Sequence, residues 1–173
     1  MHPDCASDVW PLSRLTDIIG FIAYHGTSPR QIASIKKDGL GEHVSKWMAL
    51  GGYEHHTWYL FCLLDDAHQE AVMERFGRPP YMRIPMGWDD GVLAAFKDQY
   101  PNAYMTWVSE EVKGALDFGG VVIEIRLEDV EKMSGFMFPD HAYGWGLITV
   151  GRRIPGESLY VLTEEDLEEE AGR

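Results

Sequence analysis

The chain has 173 residues, 45% of them apolar and 12% aromatic, which suits one domain, 1–173, with a core of its own. With 15 basic residues against 28 acidic ones, the net charge is −13. That argues against tight, non-specific binding to nucleic acid or anionic lipid, since both need cationic neutralisation, but leaves room for a nucleic-acid substrate in a local basic groove. Two cysteines without a CxxC pair, Cys5 and Cys62, argue against a disulfide framework and fit a reduced, cytoplasmic compartment.

Residues 1–20 carry acids and lack a long apolar core, so they do not read as a signal peptide; a short helix is expected over 12–19. No apolar run approaches the roughly 20 residues of a membrane helix. An apolar run at 21–24 then ends in His25-Gly26-Thr27-Ser28, and a helix is expected at once. Ser28 suits an N-cap, Pro29 a first helical position, and Gln31 stands three residues on, the spacing of a capping box. Lys36 and Lys37 favour the last turn and Asp38-Gly39 ends it. Gly26, without a Cβ, permits close approach of a ligand to the backbone, and His25 brings a donor and an acceptor to the strand end.

Residues 41–100 are harder to read. Residues 57–64, TWYLFCLL, suit a buried strand, although a helix could begin there. Residues 65–76 read as a helix with Asp65 or Asp66 at its N-cap, and 88–99 as an amphipathic helix opened by acids. A short strand is expected over 81–85. Beyond Pro101-Asn102, a strand is expected over 103–107, then a helix capped by Ser109 and running to Phe118. Residues 121–127, VVIEIRL, read as a central β-branched strand, and 135–146 as an irregular loop rich in glycine and aromatics. The last strands are expected at 147–150 and 157–162, followed by an acidic tail at 163–173.

Three segments line up: YHGTS opening a helix that ends DGL, Y-M-T-x-x-S followed by A-x-x-F, and a late strand opening IPGESLYVL. In this the chain resembles the ADP-ribosyltransferase superfamily, in its His-Tyr-Glu branch that includes diphtheria toxin and the poly(ADP-ribose) polymerases. Residues 41–100 have no part in the resemblance and would form a recognition insertion. The resemblance implies an α+β fold, a split pair of small, mostly antiparallel sheets with flanking helices and a cleft for NAD. It implies a mono-ADP-ribosyltransferase that moves ADP-ribose from NAD to a macromolecular acceptor. A protein side chain is the favoured acceptor, with nucleic acid or a small molecule as others, and a bacterial or phage effector or toxin is the context, acting in its own or a target cell. His25, Tyr104 and Glu157 would be the catalytic residues, and His25, Gly26, Thr27, Tyr104 and Phe118 would hold the dinucleotide.

The chemistry suits those residue types. Cleaving the nicotinamide–ribose bond passes through an oxocarbenium-like state, which a carboxylate stabilises. A flat pyridinium is gripped by aromatic faces. Against this stand the ordinary readings: Tyr104 a strand aromatic, Phe118 a core residue, Glu157 a solvated charge, with Glu124 and Glu128 as rival glutamates. Phe136, Phe138, Asp140, His141, Tyr143 and Trp145 would be acceptor contacts or pins for a loop, and Arg152 and Arg153 phosphate contacts or solvated charges. His43, His55, His56 and Cys62 match no zinc spacing, and no Walker loop, GxGxxG or G-x-S-x-G occurs. The alternatives are an RNA 2′-phosphotransferase-like NAD enzyme and a catalytically silent partner-binding module of the same fold.

Overall fold

A computed structural model describes residues 2, 5, 9–49, 54–78, 88–140 and 146–172. The β-branched and aromatic segments of the sequence form strands that alternate between two apolar layers. The strands are β1 (Trp10–Pro11), β2 (Ile22–Thr27), β3 (Glu42–His43), β4 (Tyr104–Ser109), β5 (Val121–Arg126), β6 (Gly135–Asp140), β7 (Gly146–Gly151) and β8 (Leu159–Val161). They make one antiparallel sheet in the order β1-β6-β7-β4-β2-β5-β8, with β3 added beside β4. Together with the helices this is an α+β architecture.

The period of two in β4, β6 and β7 decides which core each side chain joins. Met105, Trp107, Phe138, Ile148 and Val150 enter one core, while Val108, Met137 and Leu147 enter the other with Leu12, Leu15, Ala23, Ile35, Ile123 and Ile125. The first core is closed by α3 (Val44–Ala49), α4 (Glu54–Leu63), α5 (Asp66–Phe76) and α6 (Trp88–Gln99). The second is closed by α1 (Leu15–Ile19), α2 (Ile32–Asp38) and α8 (Leu127–Glu131). A small third cluster lies under α7 (Val112–Leu116) and includes Val122 and Leu162. The acidic α9 (Glu164–Ala171) begins at a capping box made by Thr163 and Asp166.

Several expectations are corrected. Residues 57–64 lie mostly within α4, a helix buried on every side: Trp58, Tyr59, Leu60 and Phe61 are all fully buried, and Tyr59 stacks on Phe138 at 4.7 Å. A run apolar at every position carries neither period, so burial alone cannot tell strand from helix there. Gly135–Asp140 is strand rather than loop. Its Pro139 is tolerated because β1 reaches only Met137 and Phe136, so this end of the strand is an edge on that side. Ser109 closes β4 instead of capping a helix: its hydroxyl accepts from the Glu111 N–H at 3.2 Å and Glu111 is the N-cap residue of α7. The final strand is shorter than expected, with Gly156–Ser158 a single 3₁₀ turn. Cys5 and Cys62 form a disulfide, joining the N-terminal segment to α4. The strand expected over 81–85 lies outside the described residues.

The α5 and α6 helices match the sequence reading, and their contact holds a pH-sensitive link. Asp65 caps α5, accepting from the His68 N–H at 2.8 Å and from the His68 ring at 2.7 Å, while the other ring nitrogen donates to Asp98 at 3.0 Å. The hydrogen bonds to Asp98 and Asp65 raise the pKa of His68 above 6.5. The folded chain therefore holds this proton more tightly than the unfolded one. Its contribution to stability is full below the ordinary value and is lost as pH rises through the raised one. The destabilisation caused by His68→Gln, measured by thermal melts, is expected to be largest near pH 6 and to shrink at pH 9.

Candidate functional site

The centre of the sheet is nearly open. β2 runs along β5 from Ile22↔Arg126 to Thr27↔Val121, and β4 runs along β7 from Tyr104↔Gly151 to Ser109↔Gly146. Between β2 and β4 the register holds one pair, Tyr24↔Ser109. Past that pair the strands part, and a side chain takes over the bond that a neighbouring strand would make. The His25 Nδ1–H donates to the Trp107 carbonyl at 2.7 Å. Because a carbonyl only accepts, this bond places the proton on Nδ1 and leaves Nε2 as an acceptor.

The wedge below this strut is a cavity of about 470 Å³, within the usual range for small-molecule sites. Its walls include His25, Gly26 and Thr27 of β2, Ser34, Ile35 and Asp38 of α2, Glu42 of β3, Lys46 and Trp47 of α3, Met105 of β4, and Phe118 and Arg153. Burial pushes the pKa of His25 below its ordinary value, against the opposing pull of the Trp107 carbonyl and the Glu42 charge. The ring is therefore neutral at physiological pH.

The helix start that follows β2 differs from the expected box. Ser28 makes no side-chain cap bond. Instead the Thr27 hydroxyl donates to the Gln31 side-chain oxygen at 2.9 Å, and a 3₁₀ turn, Pro29–Gln31, leads into α2. The buried Thr27 and the exposed Gln31 thus brace one wall of the cavity.

Gly26 is needed for a reason the sequence did not disclose. A Cβ there would lie 1.7 Å from the Ala115 carbonyl oxygen, and one on Gly119 would lie 2.2 Å from the Thr27 carbonyl oxygen. The two glycines let α7 and the turn after it press directly on β2. That contact sets Phe118 at the cavity rim, 42% exposed, with its ring 4.3 Å from that of Trp107.

His25, Gly26, Thr27 and Phe118 converge on the cavity. Tyr104 and Glu157 are not among the residues that line it. Strand alternation explains Tyr104: Met105 faces the cavity, so its neighbour leaves β4 on the other side. Tyr104 meets the rim indirectly, its ring lying under the Arg153 guanidinium at 4.4 Å and edge-on to His43 at 5.6 Å. Glu157 sits exposed in the turn before β8. Its backbone carbonyl accepts from Arg126 at 2.9 Å, and Ser158 beside it donates to Asp129 at 3.1 Å. His25 pairs with Ile123, which pairs with Val161. Glu157 precedes Val161 by four residues and lies in the 3₁₀ turn that leads into β8.

The segment expected as an insertion supplies part of the site. β3 and α3 bring Glu42, Lys46 and Trp47 to the cavity. Glu42 and Lys46 form an ion pair at 3.3 Å. Their i,i+4 spacing was visible in the sequence, but nothing local tied it to His25.

Among the described residues no group of three or more histidine, cysteine or acidic side chains could hold a metal ion, and Cys62 is committed to its disulfide. Likewise no described helix is long and apolar enough to cross a membrane. Of the loop contacts named from the sequence, Phe138 and Asp140 are buried, and His141, Tyr143 and Trp145 lie outside the described residues. The chain matches no protein-family model, no curated protein and no solved structure.

Proposed function

We propose that the wedge cavity binds NAD and that the protein transfers ADP-ribose from it to a macromolecular acceptor, a protein side chain in the first instance. One observation supports this reading above the rest: the histidine, glycine and threonine of the YHGTS segment and the ring of Phe118 share one cavity, although 90 residues or more separate them. Each group suits the task. The neutral His25 ring offers Nε2 as an acceptor for a ribose hydroxyl. Phe118 offers a face for a flat heterocycle. The hydroxyls of Ser28 and Ser34 and the cations Lys46 and Arg153 suit a polar, anionic ligand.

The positions of Tyr104 and Glu157 favour a second reading, in which the same cavity binds NAD without turning it over and the protein acts as a partner-binding module.

Release of nicotinamide from NAD separates the two. The first reading predicts release that increases when polypeptide acceptors are added, with acceptors gaining the mass of ADP-ribose. His25→Asn retains a donor for the Trp107 carbonyl but loses the imidazole acceptor. It is expected to reduce release by roughly 10²-fold, the scale of losing one positioned polar group. Release by the wild type should also fall in acid, through a pKa below the ordinary histidine value, because His25 must be neutral to accept. Binding of NAD with no nicotinamide released would establish the second reading.

A further inference from the structure

We infer that Glu42 is the carboxylate that serves the reacting sugar in this cavity. The inference rests on the proposed transfer from NAD. Glu42 is half-buried on β3 and pairs across the ladder with Met105, so the two side chains share a face, and both line the cavity with His25. Its charge acts on the His25 ring, raising the proton affinity that burial lowers. Asp38 also lines the cavity, but it is exposed at the end of α2. Lys46, one turn on, pairs with Glu42 at 3.3 Å.

The step assigned to Glu42 balances as follows. The bond between the anomeric carbon of the ribose and the ring nitrogen of nicotinamide breaks, and its electron pair stays on the nitrogen, so nicotinamide leaves neutral. The carboxylate of Glu42 stabilises the positive charge that develops on the sugar. An acceptor O–H or N–H then forms the new bond to the anomeric carbon, and its proton passes to the carboxylate and on to solvent.

The test compares nicotinamide release and NAD binding in the wild type, Glu42→Gln, Glu42→Asp and Glu157→Gln. The inference predicts that Glu42→Gln binds NAD with similar affinity but releases nicotinamide at least 10²-fold more slowly. Glu42→Asp, which keeps the charge on a shorter arm, should recover part of the rate. Unchanged melting temperatures would show that all variants fold. Wild-type release that persists in Glu42→Gln, above all with a loss in Glu157→Gln, would overturn the role of Glu42 and leave the proposed function standing. A wild type that neither binds NAD nor releases nicotinamide would overturn the proposed function, and this role with it.

Discussion

Replacing both cysteines by alanine is expected to lower the free energy of unfolding by about 4 kcal/mol. The Cys5–Cys62 bond closes a loop across a sequence separation of 57 residues. In the chain-entropy account a 15-residue loop is worth about 3 kcal/mol and a 100-residue loop about 4.7 kcal/mol, so this loop falls between them. The bond also joins two buried places, with Cys5 fully buried and Cys62 nearly so. Other contacts hold the same segment: the His2 N–H donates to the Gln69 side chain at 2.9 Å, Gln69 donates to the Phe61 carbonyl at 3.0 Å, and the His2 ring meets Trp58 edge-on at 5.4 Å. These fix where the segment docks, whereas the disulfide restricts the unfolded chain. A loss of about 4 kcal/mol is a large part of the stability of an ordinary domain and corresponds to roughly 8–16 °C in melting temperature at this size. Denaturant midpoints of wild type and double alanine variant check it. A difference under about 1 kcal/mol would show that the bond contributes little constraint.

Gly26→Ala is expected to be the most damaging single substitution near the cavity. The new methyl carbon would lie 1.7 Å from a backbone carbonyl oxygen, that of Ala115, which no side-chain rotation can relieve. Either α7 moves off β2 or the pairing of β2 with β5 is disturbed. Overpacking of flexible side chains already costs about 1–3 kcal/mol, so a clash with fixed backbone should cost at least about 3 kcal/mol. A shift of α7 also carries Phe118 away from the rim, so NAD binding should weaken even where the variant folds. Gly120→Ala is the control, because nothing lies within 4 Å of its added carbon. It should change stability by no more than about 0.5 kcal/mol. Similar denaturant midpoints for the two variants would contradict this packing account.

The sequence was legible where a signal is local. Asp65 and Asp66 announce the start of α5, and Asp89 and Asp90 with Val92 and Phe96 mark α6 from both its charge and its apolar face. The β-branched residues 121–126 could hardly be anything but strand. Legibility failed where the deciding partner is far away in the chain. Residues 57–64 are apolar throughout, and only the stacking of Tyr59 on Phe138 and the enclosing helices settle them as helix. Glycine and proline gave 135–140 the composition of a loop, yet β7 pairs with all six residues and β1 with two of them. The same division runs through the site. His25, Gly26 and Thr27 stand together in one segment and reach the cavity together. Tyr104 and Met105 are adjacent, and which of them faces the ligand depends on strand register, which a motif match does not carry. Glu42 joins His25 through the short pairing of β3 with β4, a contact with no local signature.

Whether NAD occupies the wedge beside His25 is most directly read from the imidazole protons during an NAD titration by NMR, with the His25 resonance assigned by comparison with His25→Asn. The account predicts a saturable shift at His25, with the other six histidines of the chain moving less. Saturation that shifts other histidines while His25 stays where it was, or no shift at any of them, would contradict it.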